Sequence, residues 1–565
     1  MTLKTLIVGE MEDAMSQIDA AVETEELDAA ERRWLNWADW RAAVLLVVGL
    51  LVLRVIYLIW LSPWELIHDE AHYWEWSRRL SLSYYSKGPG VAWLIGASTA
   101  IFGTSEWAIR LPAAVSSAVA SLLVARLAMQ TTGDQRAGFL AAVAFNLIPI
   151  FQLEAQLMTI DPPFMASWLL CAWIAWHAFR SHERGDRPWT LWAALGVALG
   201  LGFLVKYVIV LFAPGLLIYA WLRRRQLPWD RRLTAGVLIV VIGFMVGILP
   251  WFIWNAENGW PAVRHELGHL GAPGGDVPTQ WDEPFGGFSA LELLATQLGV
   301  LGIPAFVLIV MAAVRVIRRR VPERWPTHLY LLCCGLPTLG FFALVSLASR
   351  VEANWPVSGY LTLLVLLSEA TVQEVPRWRE RRRQWLAHAE AARQAGIKSP
   401  PKPRSAWVSG WRWMIGWGVV TLTIVAFPHA WARMPVIGDA VPMFRLSGGK
   451  DLAAEADAAR ELLRGQTGQE PLVIAGSYGQ ASQLAFYMDG RPVVYDAGKY
   501  VGRRESQYDY WADTDLSDPA LLGRPAVLVL KPAEDWREQF DFAALQTLQD
   551  DPLLHVATGY GGPAR

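Results

Sequence analysis

The stretch PWELIHDEAHYWEWSRRLSLSYYSKGPG, residues Pro63 to Gly90, follows directly on the first long apolar run of the chain. It contains the acidic pair Asp69-Glu70, continues through a segment rich in tryptophan and tyrosine, and closes on Lys87 before a Gly-Pro-Gly turn. Polar and ionisable side chains are costly to place beside lipid, so they are functional candidates by default. We interpret this stretch as half of an active site at a membrane surface.

The composition indicates a polytopic membrane protein. Of 565 residues, 53% are hydrophobic and only 18% are charged, which is too apolar for an ordinary soluble protein. The net charge of -2 gives no indication of a nucleic-acid partner. Cys171, Cys333 and Cys334 all lie in apolar runs, so neither a disulfide framework nor a thiolate metal site is indicated.

About eleven apolar runs approach the length of roughly 17 to 25 residues that a helix needs to cross a bilayer. They lie near residues 42–61, 109–129, 138–157, 163–179, 189–205, 207–222, 233–253, 290–314, 328–347, 356–370 and 412–430. The segment Val91 to Phe102 is also apolar, but its length of about a dozen residues is more typical of an interfacial helix.

The distribution of arginines indicates whether the segment Val91 to Phe102 crosses the membrane. If it does not, the arginine-rich loops at residues 126–136, 180–187, 223–232, 315–324 and 377–412 all fall on one face, which is cytoplasmic by the positive-inside rule. We therefore predict about eleven spans, with residues 1–41 as a cytoplasmic N-terminal segment. That acidic segment lacks the pattern of a cleaved signal peptide, and Ala14 to Trp40 is typical of a surface amphipathic helix.

This topology collects the chemically versatile side chains on the external face. The predicted external segments are the Asp69-Glu70 loop, Asp161 with its two following prolines, Lys206-Tyr207, the long loop 255–289, the turn 350–355 and everything after about residue 431. The cytoplasmic loops are mostly arginine and carry topology signals.

The chain divides into a transmembrane catalytic domain at 42–370, a basic cytoplasmic linker at 371–411, a last span at 412–430 and an external domain at 431–565. In the last of these, helical patterns at 451–464 and 480–488 alternate with apolar strand patterns at 471–476, 491–495 and 525–531. Alternation of this kind predicts a small α/β domain. The fold class is thus mainly α, with a C-terminal α/β addition.

Asp69 and Glu70 are adjacent, so they cannot share one face of a helix. One of them is therefore expected to face a cavity while the other pairs with a cation or metal ion. A partly desolvated carboxylate is suited to act as a general base towards an acceptor hydroxyl or amine. Lys87, a point cation beside a Gly-Pro turn, is suited to a phosphate, and Asp161 would bring a second carboxylate to the same cavity.

Structural interpretations compete with these. The Asp69-Glu70 pair is also compatible with an interfacial acidic turn, and Lys87 with a lysine that extends to lipid headgroups. Asp161 before two prolines also fits a helix end or a turn. Lys206 and Arg350 are of a kind that more often pairs or snorkels than binds ligand. His265 and His269, four residues apart, are a metal-site candidate that lacks further ligands.

The combined motifs are more specific than their parts. They are Asp-Glu-Ala-His-Tyr-Trp at 69–74, Lys-Gly-Pro at 87–89, FGTSEWAIRLPAA at 102–114, Asp-Pro-Pro at 161–163, LGFLVKY at 201–207, WNAENGW at 254–260 and EANWP at 352–356. Together they resemble the C-type bacterial polyprenyl-phosphate-dependent glycosyltransferases over residues 60–367. These include the protein O-mannosyltransferase-like, lipid A aminoarabinose transferase-like and lipid A/core galacturonosyltransferase families. GRRESQYDYW at 502–511 resembles the external domain of some members.

The resemblance implies an inverting transfer of a sugar from a polyprenyl-phosphate donor, outside the cytoplasm of a bacterial inner membrane. By match to the family motif, Asp69 is the catalytic base with Glu70 beside it, Asp161 is a second functional acid, and Lys87 meets the donor phosphate. We assign two further cations, Lys206 and Arg350, to the same phosphate. The candidates for substrate contact are His68, His72, Tyr73, Tyr85, His265, His269, Asn354 and Trp355.

The expected partners are the polyprenyl-phosphate sugar donor, the bilayer and an external glycolipid, polysaccharide or protein acceptor. Ser86 stands where the aminoarabinose transferases carry a glutamate next to the lysine, so the need for a divalent metal ion stays open, as do the sugar and the acceptor. A transporter or flippase of a lipid-linked or anionic substrate is the alternative, although only Arg54 lies well inside an apolar run. An inactive relative that binds through its external domain is a third interpretation.

Overall fold

The computed structural model describes residues 35–227, 229–269, 273–276, 289–347, 351–395, 397–434, 443, 446–548 and 551–564. The predicted surface helix over residues 14–40 lies outside this part of the chain except for residues 35–40. Arg350 also lies outside it.

Helices make up the first four fifths of the described chain. They are α1 (Trp40–Trp60), α2 (His68–Arg78), α3 (Gly90–Phe102), α4 (Glu106–Thr132), α5 (Gln135–Leu147), α6 (Pro149–Glu154), α7 (Asp161–Glu183), α8 (Trp189–Val205), α9 (Phe212–Leu222), α10 (Arg231–Gly247), α11 (Leu249–Glu257), α12 (Pro261–His269), α13 (Ser289–Leu301), α14 (Ile303–Arg318), α15 (Trp325–Cys333), α16 (Leu336–Val345), α17 (Ser358–Leu361), α18 (Leu363–Gln394), α19 (Ala406–Ala426) and α20 (Pro428–Ala432). Short 3-10 helices at Tyr207–Leu211 and Trp355–Val357 precede α9 and α17.

Each predicted apolar run coincides with helix, but prolines and glycines interrupt several of them. Four helical stretches in the described chain are long and apolar enough to cross a membrane, or six if each of two bent pairs counts as one span. The bends are 51° between α10 and α11 and 104° between α13 and α14. Pro250 follows the first break, while Gly302 and Pro304 flank the second, as expected for residues that interrupt a helix.

Helix α3 coincides with the segment Val91 to Phe102, whose interfacial placement stays a prediction. It has 13 residues, so it is about 20 Å long, whereas the hydrocarbon core of a bilayer is about 30 Å thick. Its residues Val91, Ala92 and Ile95 are buried, and α3 therefore packs as a short element against the rest of the protein.

Helix α4 connects the two ends of the membrane domain. It begins at Ser105, whose hydroxyl accepts from the backbone N–H of Ala108, and it ends at Gly133 in the left-handed conformation. Small residues line its buried face, including Ala113, Ser117, Ala120 and Ala128. Small side chains let neighbouring helices approach closely, and α4 packs against α1, α5 and α7.

The C-terminal region forms a small α/β domain. Its elements are α21 (Gly449–Thr467), β1 (Leu472–Ala475), α22 (Tyr478–Tyr487), β2 (Tyr495–Asp496), β3 (Ala526–Val529), α23 (Ala533–Gln539), β4 (Phe540–Leu548) and β5 (Asp551–Pro563). The strand order is β2-β1-β3-β5-β4. Strand β1 pairs in parallel with β2 and β3, and β5 pairs antiparallel with β3 and β4.

Both predicted helices and two of the three predicted strands of this domain are present with shifted ends. The strand predicted at 491–495 is confined to Tyr495–Asp496, because the chain before it makes no ladder with β1. The β4–β5 hairpin was not predicted. Strand β4 is an edge strand whose residues are mostly exposed, so it lacks the continuous apolar run that marks a buried strand.

The C-terminal domain is anchored to the segment that precedes α2. The Glu65 carboxylate accepts the backbone N–H groups of Gly449 and Lys450 at 2.7 and 3.1 Å. The N–H of Leu66 donates to the Tyr487 hydroxyl at 2.7 Å, and the Gln483 amide donates to the Leu66 carbonyl at 2.7 Å. The domain thus binds directly to the chain that carries Asp69.

Two glycines seat the turn after Lys87 on the end of α8. A Cβ on Gly88 would lie 2.2 Å from the carbonyl oxygen of Leu204, and one on Gly90 would lie 2.7 Å from a methyl group of Val205. Glycine is needed where two backbones approach this closely. The contact brings the chain at Lys87 next to the chain at Lys206.

We expect Gly88→Ala to destabilise the protein by about 1–3 kcal/mol, because the new methyl group would meet backbone atoms that cannot rotate away. The measurement is the thermal unfolding midpoint of the purified protein in detergent. Gly49→Ala is the matched control, since no atom of the described residues lies within 4 Å of a Cβ at that position. Equal midpoints for Gly88→Ala and wild type would contradict the close packing.

Candidate active site

The two adjacent acids point to different surroundings. Glu70 is fully buried. Its carboxylate accepts hydrogen bonds from Nε and Nη2 of Arg110 at 2.8 and 2.7 Å. It also accepts the backbone N–H groups of Met158 at 2.9 Å and of Ile67 at 3.2 Å. These donors fill the four lone-pair sites of a carboxylate. Glu70 therefore ties α2, α4 and the chain before α7 together.

Asp69 lines a cavity of about 360 Å³. The residue is exposed and keeps surface that is open to this cavity. Burial raises the pKa of Asp69, the positive charges of His68, Arg504 and Lys87 oppose the rise, and Glu70 adds to it. A carboxylate with a raised pKa beside open space is suited to accept a proton.

Two cations face the same cavity. Lys87 and Arg504 both line it, although they come from opposite ends of the chain. The Lys87 Nζ pairs with the Glu266 carboxylate at 3.1 Å. Nη1 of Arg504 lies 3.4 Å from Nε2 of His265, and its guanidinium lies 6.0 Å from the ring centre of Tyr478. The same lining contains three carboxylates, those of Asp69, Glu352 and Glu505. A lysine and an arginine together can bind a phosphate or another anion.

Asp161 and Lys206 form a buried ion pair next to this cavity. The Lys206 Nζ lies 2.6 Å from Oδ1 of Asp161, and the Asn354 amide donates to Oδ2 at 2.7 Å. Tyr73 connects the pair with Asp69: burial raises the pKa of its phenol, and the charges of Asp69 and Asp161 both add to the rise. The structure thus brings Asp69 and Asp161 to one region, with Lys206 neutralising Asp161.

His72 is held in one neutral form. Its Nε2 accepts from the indole N–H of Trp76 at 3.0 Å, so the ring proton belongs on Nδ1, which lies 3.1 Å from the hydroxyl of Ser482. Burial, aided by Arg504, lowers the pKa of His72 to about 3. The side chain also packs against Tyr478 and Tyr508, so it joins α2 to the C-terminal domain without carrying charge.

Tyr85 and His265 complete one wall of the cavity. The Tyr85 hydroxyl donates to Asp276 at 2.6 Å, and its backbone N–H donates to the side-chain oxygen of Gln507 at 2.6 Å. Nδ1 of His265 lies 3.6 Å from Asp276. Trp355 also lines the cavity.

The remaining predicted residues are His68, His269 and Arg350. His68 lies against Gly479 of the C-terminal domain. The side chain of His269 and the whole of Arg350 lie outside the described residues. No group of three or more His, Cys, Asp or Glu side chains that could hold a metal ion occurs within the described ranges.

Several residues of the site were not singled out by sequence. Arg504, Tyr478 and Gln507 all come from the C-terminal domain, and the motif at 502–511 was the only signal for any of them. Arg110 lies at the start of an apolar run, where an arginine beside a span end is an ordinary topology signal. Glu266 had no signal beyond its place in a long external loop.

The family comparison covers part of the site. Residues 86–254 match the family model described as dolichyl-phosphate-mannose-protein mannosyltransferase. The match begins just before Lys87 and includes Asp161 and Lys206, whereas Asp69 precedes it. The predicted resemblance to the C-type polyprenyl-phosphate-dependent glycosyltransferases is confirmed.

Two curated proteins illustrate the relationship. The lipid A galacturonosyltransferase RgtD of Rhizobium johnstonii is 28% identical over 330 residues, which are 58% of this chain and 64% of that protein. The undecaprenyl phosphate-alpha-4-amino-4-deoxy-L-arabinose arabinosyl transferase of Pseudomonas savastanoi pv. phaseolicola is 31% identical over 176 residues, which are 30% of this chain and 32% of that protein. The alignments span less than two thirds of either relative.

The solved structure of ArnT from Cupriavidus metallidurans in the apo state has a TM-score of 0.57 at 18% identity, over 91% of this chain and 97% of that one. The structure of the same protein bound to undecaprenyl phosphate has a TM-score of 0.55 at the same identity and coverage. These similarities establish an ArnT-like fold. They confirm the predicted fold class of a mainly helical GT-C type with a small C-terminal sheet domain.

We expect Glu70→Gln to lower stability strongly and Asp69→Asn to leave it nearly unchanged. Replacing Glu70 leaves the buried Arg110 guanidinium without its counter-charge, which costs about 3–5 kcal/mol. Replacing Asp69 removes a carboxylate whose burial disfavours its charged form, so the fold should be retained. Thermal unfolding of both variants in the same detergent tests the contrast. A Glu70→Gln midpoint equal to that of Asp69→Asn would show that the ion pair does not hold the fold.

Proposed function

We propose that this chain, whose residues 86–254 carry the glycosyltransferase family domain, is a membrane glycosyltransferase. It moves a sugar from an undecaprenyl-phosphate-linked donor to lipid A or a related external acceptor, with inversion at the anomeric carbon. One relative is named a lipid A galacturonosyltransferase and another an undecaprenyl phosphate-linked arabinosyl transferase. The names support this donor and this acceptor class.

The observation that carries the proposal is that Asp69, Lys87 and Arg504 line one cavity. A carboxylate whose burial raises its pKa supplies the base. The two cations supply a site for the donor phosphate. The reaction needs the base and the phosphate site on opposite sides of one anomeric carbon. A cavity of about 360 Å³ leaves room for a sugar between them.

The chemical step follows from these roles. Asp69 accepts the proton of the acceptor hydroxyl as the acceptor oxygen attacks the anomeric carbon. The bond from that carbon to the phosphate oxygen breaks, and polyprenyl phosphate leaves with the bonding electrons. Lys87 and Arg504 stabilise the charge that develops on this phosphate. Attack opposite the leaving group inverts the anomeric configuration, and the proton ends on Asp69.

The other predicted residues support the reaction from outside the reacting centre. Glu70 fixes the start of α2 through Arg110, and so it positions Asp69. Asp161, held by Lys206 and Asn354, acts on Tyr73 and on the electrostatic potential of the cavity. We assign Asp161 a positioning role, since Lys206 and Asn354 already engage its two carboxylate oxygens.

The proposal includes an orientation. The arginine-rich loops lie in the cytoplasm, and the Asp69 cavity with the C-terminal domain lies on the periplasmic side of the bacterial inner membrane. About eleven spans follow if the short and bent helices also cross the membrane in bundles, where protein neighbours satisfy their broken ends. A donor attached to a lipid can then reach the cavity from the bilayer.

Transport is the weaker candidate. Its sequence argument rested on charged residues at span ends, whereas only Arg54 lies well inside an apolar run. Arg54 donates to Asn146 of a neighbouring helix at 2.8 Å. Asn146 in turn donates to Ser121 at 2.8 Å. These contacts form a local hydrogen-bond network between α1, α4 and α5, which accounts for the polar residues without a translocation path.

We expect Asp69→Asn to reduce transfer by about 10²–10⁴-fold, which is the usual contribution of a general base. Mass spectrometry of lipid A and envelope glycoproteins, from cells with the wild-type gene, the variant and no gene, measures the effect. The wild type should add one sugar mass to lipid A, and the variant should match the deletion at equal membrane abundance. Near wild-type transfer by the variant would exclude Asp69 as the base, and a glycoprotein as the modified species would exclude lipid A.

We expect the transfer rate to fall on acidification, because only the deprotonated base accepts a proton. Since burial raises the pKa of Asp69, the fall should occur at a pH above about 3.9, the usual pKa of an aspartate. Arg504→Gln should move this acid limb to higher pH, since the Arg504 charge opposes the rise. His72, with a pKa of about 3, cannot supply the limb. Transfer rates measured from about pH 4 to about pH 8 give the shift of the acid limb.

The control variant is Arg503→Gln, which changes the same charge at the adjacent exposed position outside the cavity lining. His68→Gln identifies any contribution from the titration of His68, whose charge also acts on Asp69. If the acid limb lies at the same pH in Arg504→Gln and in Arg503→Gln, the assignment of Arg504 to the site is wrong.

A further inference from the structure

A second polar cavity lies at the other end of the membrane domain. The two cavities lie at opposite ends of helix α4. Near the start of α4, Arg110 binds Glu70. At its end, the carbonyl oxygens of Thr131 and Thr132 accept hydrogen bonds from Arg324 at 3.4 and 2.8 Å. At about 1.5 Å per residue, these points are roughly 30 Å apart, which is the thickness of a bilayer core. Arg324 lines this second cavity.

The cavity has a volume of about 490 Å³ and is strongly basic. Its lining includes Arg315, Arg319, Arg324 and Arg377 and the acid Glu369. Arg324 pairs with Glu369 at 2.8 Å, and Arg315 pairs with Glu374 and donates to Gln373 at 2.9 Å. Arg377 lies 3.5 Å from Glu374 and is exposed at the rim, as is Arg319, so both guanidinium groups keep surface that a ligand can reach.

Polar atoms in the buried wall still lack partners. His328 is only 5% exposed, and its Nε2 lies 3.0 Å from the Glu369 carboxylate. Its Nδ1 has no hydrogen-bond partner within the described ranges, and neither does Nε of Arg324. Buried polar atoms are normally satisfied, so the cavity is built to receive a polar group.

An apolar stripe leads to this cavity along α14. Val307, Val310, Val314 and Ile317 are 38–45% exposed and follow the three- and four-residue spacing of one helix face. Val321, which is 44% exposed, continues the stripe and lines the cavity itself. In a membrane protein such a stripe faces lipid acyl chains, so the cavity opens where those chains meet their headgroups.

We propose that this cavity binds the phosphodiester headgroup of an anionic phospholipid, with its acyl chains along the stripe from Val307 to Val321. Arginine presents a planar fork that matches phosphate oxygens, and basic pockets between membrane helices accommodate anionic headgroups. The site lies about 30 Å from Asp69 along α4, on the cytoplasmic side in the proposed orientation. It is independent of the sugar and acceptor that are transferred.

The test uses the purified full-length chain and native mass spectrometry with phosphatidylglycerol, phosphatidylcholine or inorganic phosphate. The double variant Arg319→Gln/Arg377→Gln removes two rim charges. Each arginine near an anionic headgroup contributes roughly a fivefold factor in affinity, so the variant should bind phosphatidylglycerol about 25-fold more weakly. Arg318→Gln/Arg379→Gln is the matched control, because both residues are exposed near the cavity but do not line it.

The proposal predicts that wild type and control retain phosphatidylglycerol in preference to phosphatidylcholine, whereas the rim variant does not. Equal losses in the two double variants would overturn it, as would equal retention of both lipids. Binding of inorganic phosphate that phosphatidylglycerol fails to displace would identify a soluble anion as the ligand and would also overturn it. Elution volume and circular dichroism must match wild type before any variant is compared, and Arg319→Gln alone replaces a double variant that fails this criterion.

Discussion

The buried pair between Glu70 and Arg110 is the interaction on which the site depends. It joins the first turn of α2 to α4, and the same carboxylate holds the backbone of Met158 just before α7. A charge pair out of water is stable only when its remaining hydrogen-bonding capacity is filled. Here Arg110 also donates to the carbonyl oxygens of Trp64 and Glu65 at 2.9 and 2.7 Å, so the pair fixes the chain on both sides of Asp69.

This arrangement gives two neighbouring carboxylates different properties. Glu70 is saturated by donors and serves the fold, whereas Asp69 faces open space and is disfavoured as an anion by burial. The rigid neighbour keeps Asp69 in place although its own environment offers it little stabilisation. An acid whose charged form is disfavoured can be kept in a fixed position when its neighbour is firmly bonded to the fold.

The sequence predicted the parts of this structure that depend on local pattern. Apolar runs indicated the helices, and arginine distribution placed Asp69, Lys87 and Asp161 in one region. Pattern could not predict which runs bend, because Gly302 and Pro304 lie within continuous apolar sequence. Nor could it find Arg504 and Tyr478, since contacts across more than four hundred positions leave no periodic trace. The β4–β5 hairpin was missed because its edge strand is largely exposed.

The contribution of Arg504 to a cavity that begins with Asp69 has a consequence for biogenesis. Translation delivers Asp69 early, while Arg504 and Gln507 follow more than four hundred residues later. Within the described chain, the helices that are long and apolar enough to cross a membrane all precede these two residues. A nascent chain that ends before Arg504 therefore carries Asp69, the proposed base, without Arg504, the proposed phosphate contact.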